Sequence, residues 1–202
     1  MNGISSPQDR LARLSGPLSP IRDRLSHGPE IRRVEPSAQV LEADAFACLM
    51  QSYARRFGVK PDGYLVSLWS QKYLATVIIP VMALSLIGGK AVHAEIENTV
   101  IVVDDDGEPV ALRLPAAFTT EEADQAASLL VSTHLTPLID ALARQSGLSR
   151  KVFWGNAAHY LEWIVRQLPG KNPAFNLPAP MTDAIRYVEE DGCACVAGKS
   201  AV

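Results

Sequence analysis

Tyr73-Leu74-Ala75-Thr76-Val77-Ile78-Ile79-Pro80-Val81-Met82-Ala83-Leu84-Ser85-Leu86-Ile87-Gly88-Gly89 is the longest uncharged stretch of the chain, and its reading decides the fold. Such a run either crosses a bilayer or fills the middle of a folded domain. It falls short of the ~20 apolar residues that a span requires, begins directly after Lys72 and carries Pro80 midway. A buried helix is the expected outcome. It should start near Tyr64, because Leu65, Trp69 and Tyr73 fall on one helical face. A kink or break is expected near Pro80, since a proline inside a helix costs ~3 kcal/mol. Gly88-Gly89 should end the element.

The flanking sequence changes period on either side. Upstream, Leu41 or Ala45, Leu49, Tyr53 and Phe57 recur at helical spacing, Gly58 supplies a stop, and Pro61-Asp62-Gly63 makes a turn. Downstream, Val92 to Ile96 alternates, Thr99 to Val103 is β-branched, and Pro109 to Leu114 alternates again. Asp105-Asp106-Gly107 between the last two runs signals a hairpin. Asp104, Asp105 and Asp106 lack the further spaced oxygen ligands and distal Glu of a calcium loop, so they read as a solvated turn. Helices resume where Thr119 and Glu122 have capping-box spacing. Pro137 should bend or divide the segment that follows, and Ser146-Gly147 should end it. Ser149 can cap a helix running to about Leu168, and Met181 to Glu190 forms a last short one.

The expected fold is therefore α+β and predominantly helical, with a small antiparallel sheet inserted between helical segments. Residues 1–36 are broken by Pro7, Pro17, Pro20, Pro29 and Pro36 and read as a flexible N-terminal arm, with a short helical turn possible around Ile21–Leu25. Residues 37–190 make the helical domain, and residues 191–202 a C-terminal tail with Cys-x-Cys.

Composition narrows the function classes. The chain has 202 residues, 48% hydrophobic and 20% charged, as in a soluble globular protein. A net charge of -3, with no basic block interleaved with aromatics, argues against nucleic acid as a partner. The N-terminus lacks the apolar core of a secretory signal, and three cysteines build no disulfide framework, so the cytoplasm is the expected compartment. No phosphate loop, dinucleotide fingerprint or nucleophile elbow occurs.

Three groups of residues can carry chemistry. Trp154-Gly155-Asn156 lies near the start of a helix, where an indole wall and an amide with both donor and acceptor can line a pocket for a polar ligand. His159 is one turn further on. Trp69 and Tyr73, with Lys72 beside them, offer an aromatic wall and a cation; the same residues suit core packing with Lys72 on the rim. His93 and His134 have no partner at metal-ligand spacing, and zinc is not expected. Cys193 and Cys195 are the candidate metal and cofactor ligands. A two-iron cluster takes four protein ligands, whereas even with Cys48, predicted on a helix that can bury it, the chain supplies three thiolates. The pair is then unused, shared in a cluster between two chains, or completed by a non-Cys ligand.

Ser67-Leu68-Trp69-Ser70-Gln71-Lys72-Tyr73 and Val152-Phe153-Trp154-Gly155-Asn156-Ala157-Ala158, separated by a proline-bearing helix and a strand region, resemble the FhuF-like ferric-siderophore reductase family over roughly residues 40 to 190. The resemblance implies a protein that releases iron from hydroxamate siderophores by one-electron reduction in the cytoplasm, because ferrous iron holds hard oxygen ligands far more weakly than ferric iron. It implies a siderophore site at Trp69, Lys72, Tyr73, Trp154, Asn156 and His159, and a 2Fe-2S cluster fed by a soluble electron donor. Family members hold that cluster on a Cys-Cys pair followed by Cys-x-x-Cys; here only Cys193 and Cys195 match, and neither motif is reproduced. A homodimer and peripheral contact with a membrane transporter at the inner face of the membrane fit the same picture. The alternative is a cluster-free siderophore-binding or accessory module without redox activity.

Overall fold

A computed structural model of the chain describes residues 19, 21, 22, 24, 25, 33–115 and 118–167. Strand β1 is Arg33–Pro36; a 3-10 turn, Ser37–Leu41, leads into helix α1, Ala43–Arg55. Helix α2, Gly63–Gly88, is followed by β2 at Lys90–Val92, β3 at Val100–Val103, β4 at Pro109–Arg113 and β5 at Phe118–Glu122. A second 3-10 turn, Ala123–Gln125, enters α3, Ala126–Leu130. A π-turn at Val131–Leu135 continues into α4, Thr136–Ser146, and α5, Arg150–Arg166, follows. The fold is α+β and mostly helical, as the periodicities required.

Helix α2 is the axis of the molecule. Asp62 caps its start by accepting from the Leu65 N–H at 2.8 Å, which satisfies one of the donors that a helix leaves open. Gly89, at φ +74°, closes its end in the left-handed conformation that favours glycine. Between them every residue from Tyr73 to Leu86 is buried. Of the most apolar window of α2, 78% is covered by protein, so this helix fills a core.

The expected break at Pro80 does not occur: the helix passes through it. Val77, Ile78, Val81, Met82 and Leu84 around it are all at most 1% exposed. Each such burial stabilises by ~1.5–3 kcal/mol, which together outweighs the cost of one proline. Pro137 acts differently. It has no N–H for the Thr133 carbonyl, and that oxygen instead accepts from the Ile96 N–H at 3.2 Å. The preceding turn loosens into the π-form, with the Thr136 hydroxyl and N–H both directed to the Val131 carbonyl.

The strands form two small antiparallel sheets, β1-β3-β4 and β2-β5. Pro36 pairs with Val100, and Val100 with Arg113. The hairpin between β3 and β4 is the one the Asp-Gly signal predicted. Asp104 Oδ1 accepts from the Glu108 N–H at 2.8 Å and the Asp106 N–H at 3.1 Å, while Asp105 and Asp106 face solvent. Gly107 turns at φ +85°, and a Cβ there would stand 3.1 Å from the Leu49 side chain. Thr119 and Glu122 do not cap a helix; they belong to β5, where Glu122 pairs with Lys90 of β2. Cross-strand pairing has overridden a local capping signal.

The domain also reaches further upstream than Ser37. β1 belongs to the three-stranded sheet, Ile21 and Leu25 are buried, and Leu25 bridges to Leu112. Isolated apolar residues between prolines make no periodic pattern, yet each can plug a gap in a core. Ser149 caps α5 as expected, its hydroxyl accepting from the Lys151 N–H. Helix α5 then packs along α2 through Phe153, Trp154, Ala157, Ala158, Leu161 and Ile164. The expected helix at Met181 to Glu190 and the pair Cys193 and Cys195 lie outside the described residues.

Candidate functional site

Trp69 and Tyr73, one turn apart on α2, point into the core and are 0% exposed. The Trp69 indole N–H donates to the Gly107 carbonyl at 2.9 Å, tying α2 to the β3–β4 hairpin. Its ring meets Phe46 edge-on at 5.4 Å and lies 5.2 Å from Tyr73. Tyr73 in turn reaches His134 of the π-turn, with 3.1 Å between hydroxyl and Nε2. His134 Nδ1 lies 2.7 Å from the Ala94 carbonyl, which can only accept. Nδ1 therefore carries the proton, and Nε2 accepts from the Tyr73 O–H. Burial pulls the His134 pKa down to about 4, against the opposing pull of the Ala94 carbonyl and the Glu95 charge. Burial likewise pushes the Tyr73 hydroxyl far above the usual range, with Ser37 acting weakly in the other direction. Sequence spacing gave His134 no partner, because its partners lie sixty-one and forty residues away.

Lys72 turns outward from the same helix. Its ammonium lies 3.4 Å from Glu108, which Arg56 also holds at 2.8 Å. The aromatic members of the first block are core, and Lys72 is the rim.

The second block divides in a different way. Trp154 is 6% exposed and packs in the core. Asn156 is half-buried, and its amide Nδ2 is sealed from solvent with no acceptor. A Cβ on the neighbouring Gly155 would meet nothing within 4 Å. His159 is exposed, its ring 5.5 Å from that of Tyr160. Burial raises the Tyr160 hydroxyl, and the Arg24 charge acts in the opposite direction. Helical spacing thus puts Asn156, His159, Tyr160 and the half-buried Trp163 along one partly open side. The structure joins Trp69 to Tyr73 and sends Lys72 to the rim, while Asn156 and His159 only share a helical side.

A feature missed in the sequence lies between α1, the loop before α2 and the end of α4. It is a bay of about 660 Å3, within the range of small-molecule pockets. Phe46, Met50 and Val66 form its apolar wall, and Lys60, Asp62 and Gln145 are among its polar lining. Gln145 donates through Nε2 to the Val40 and Leu41 carbonyls at 3.1 and 3.3 Å, pinning the first 3-10 turn to α4. Its Oε1 is left without a donor. Gly63 lets α2 approach the α4–α5 turn, since a Cβ there would lie 3.2 Å from Leu148. No local motif announces such a bay, because its walls come from three separated segments.

No metal centre forms among the described residues, which hold no group of three or more His, Cys, Asp or Glu able to bind one. Cys48, expected to be buried by its helix, is exposed on α1. With three thiols in all, the chain does not complete the four-ligand set of a two-iron cluster by cysteine alone.

The domain is a mostly helical α+β fold built round one apolar helix, with a bay of ligand size on one side. The comparisons make this specific. The chain belongs to the FhuF family, described as ferric iron reductase FhuF-like transporter, whose match covers residues 67–187 and so both aromatic blocks. None of the curated proteins matches it. Among solved structures it is similar to aerobactin synthetase IucC from a hypervirulent pathotype of Klebsiella pneumoniae, at 17% identity and a TM-score of 0.54. That similarity covers 83% of this chain but 38% of the synthetase, and at this identity it is a likeness of fold. By its description the family is one of ferric iron reductase-like proteins.

Proposed function

We propose that the protein is a ferric-siderophore reductase-like oxidoreductase, releasing iron from hydroxamate siderophores by one-electron reduction in the cytoplasm. The observation that carries this reading is the family match over residues 67–187, which takes in both aromatic blocks. Inside that segment the half-buried Asn156 amide, whose Nδ2 has no acceptor in the protein, is a donor suited to the oxygen-rich shell of a siderophore once its side chain turns outward. Trp154 fixes the helix behind this position, and His159 stands one turn away in solvent. Lys72, Trp69 and Tyr73 then act indirectly, by holding α2 and the hairpin in place.

In this reading the electron comes from a soluble donor. Cys193 and Cys195 contribute thiolates to a 2Fe-2S cluster completed by a second chain in a homodimer or by a non-Cys ligand. The protein works in the cytoplasm, beside a transporter at the inner face of the membrane.

The shortage of thiols favours a second reading, a cluster-free siderophore-binding or accessory module without redox activity. One experiment separates the two. Anaerobically purified protein is assayed for iron and visible absorption, then reduced and mixed with a ferric trihydroxamate and a ferrous chelator. Colour, iron and stoichiometric ferrous chelate, all lost in Cys193→Ser, establish the reductase. Colourless, iron-free protein that binds the complex without releasing ferrous iron establishes the module.

A further inference from the structure

We propose that Gly155 is a specificity-determining residue of the α5 face. Its missing side chain leaves a notch through which the bound complex reaches the helix backbone, and the size of the residue here limits which shells the site accepts. This rests on the siderophore reading above and adds to it a contact and a size limit.

A glycine inside a helix lowers stability relative to alanine, and a close approach of backbone to a ligand is one of the needs that keeps it there. Elsewhere the fold itself supplies the need. Gly58, Gly89 and Gly147 turn at positive φ. At Gly63 and Gly107 a Cβ would press on a neighbour, Leu148 at 3.2 Å and Leu49 at 3.1 Å. Neither reason applies at Gly155. It lies within α5, its φ is not positive, and among the described residues no atom comes within 4 Å of where a Cβ would stand. The residue is nevertheless half-buried, so the open space is a recess in the surface.

The recess has an apolar and a polar border. Val152 and His159 are the helical neighbours of both Gly155 and Asn156. Val152 is a large hydrophobic residue left 41% exposed, and His159 is exposed as well. Asn156 adds the amide Nδ2 that has no acceptor. A missing side chain and a missing acceptor therefore fall on adjacent residues, and neither observation implies the other. A shell that presses a methylene linker against the glycine backbone brings its neighbouring oxygens to the Asn156 amide as that side chain turns outward. A methyl group at position 155 stands in the way of this contact, and a larger side chain fills the recess.

The test compares wild type with Gly155→Ala and Gly155→Leu in the full chain. Each variant is unfolded thermally, sized by light scattering and titrated calorimetrically with gallium(III)–desferrichrome, a redox-inert neutral trihydroxamate. Both substitutions put a better helix former in place of glycine, so stability and binding should move in opposite directions. The expected result is a melting temperature level with wild type or higher in both variants. Affinity should weaken roughly threefold or more in Gly155→Ala and roughly tenfold or more in Gly155→Leu. Affinity that holds in both variants overturns the role of Gly155 and leaves the siderophore reading standing. A lower melting temperature in Gly155→Ala shows that the space belongs to the fold and overturns the notch as well. A wild-type dimer that Gly155→Leu converts to monomer gives the notch to a second copy of the chain and overturns the ligand contact. If wild type does not bind the complex, the siderophore reading fails and this inference falls with it.

Discussion

The two aromatic blocks that mark this family are built alike in sequence and used differently in space. On α2, Trp69 and Tyr73 are fully buried and each of their polar atoms has a partner: the Gly107 carbonyl for the indole, His134 for the phenol. On α5, Trp154 is buried as well, but Asn156 keeps a sealed donor with no acceptor and His159 stands in solvent. A satisfied polar network contributes stability and specifies one packing. An unsatisfied buried donor costs the folded state about 1–3 kcal/mol. The first block is the frame, and the second holds the side chains on which the proposed site rests.

The largest test of this contrast is Trp69→Ala. It removes a fully buried indole and leaves the Gly107 carbonyl without its donor, so a loss of ~3–5 kcal/mol is expected, read from urea or thermal unfolding. A loss below about 1 kcal/mol would remove Trp69 from the frame.

Acid sensitivity comes next. The folded His134 pKa, about 4, lies below the usual ~6.5 of an unfolded histidine. Between those values the unfolded chain binds the extra proton, so stability is fully present above pH ~6.5 and declines as pH falls toward 4. The shift corresponds to a loss on the order of 3 kcal/mol. His134→Gln should flatten unfolding free energy across this window; an unchanged slope would show that another group controls it.

Tyr73→Phe is smaller. The ring remains but His134 Nε2 loses its donor, and ~1–3 kcal/mol should go. Its signature is a shift of the His134 imidazole resonance in nuclear magnetic resonance, and an unmoved resonance would take the Tyr73 hydroxyl out of the network.

Asn156→Ala sits at the other end. No protein hydrogen bond is lost, so the melting temperature should stay level or rise, while trihydroxamate binding weakens. A stability loss beyond about 1 kcal/mol would mean that the amide is engaged in the fold, and the contrast between the two blocks would collapse.

Much of this could be read in the sequence because it depends on near neighbours. Asp62 and Ser149 act as caps, Gly89 and Gly147 turn left-handed at helix ends, and Asp104 to Gly107 makes the hairpin. The failures share one cause. The turn around Pro80 opposes a helix and the surrounding core restores it; the capping pattern of Thr119 and Glu122 yields to pairing with β2; Ile21 and Leu25 have no period of their own and fill gaps in the core. Each depends on a contact distant along the chain. The same holds for His134 and for the bay, whose walls meet only after folding.

The sequence by itself determined the helical α+β class, the apolar central helix and the family, since all three rest on local period and short motifs. Only the tertiary structure decided which aromatic residues are frame and which polar atoms remain unpaired. Burial and hydrogen-bond satisfaction are properties of segments brought together from far apart, and no window of sequence contains them.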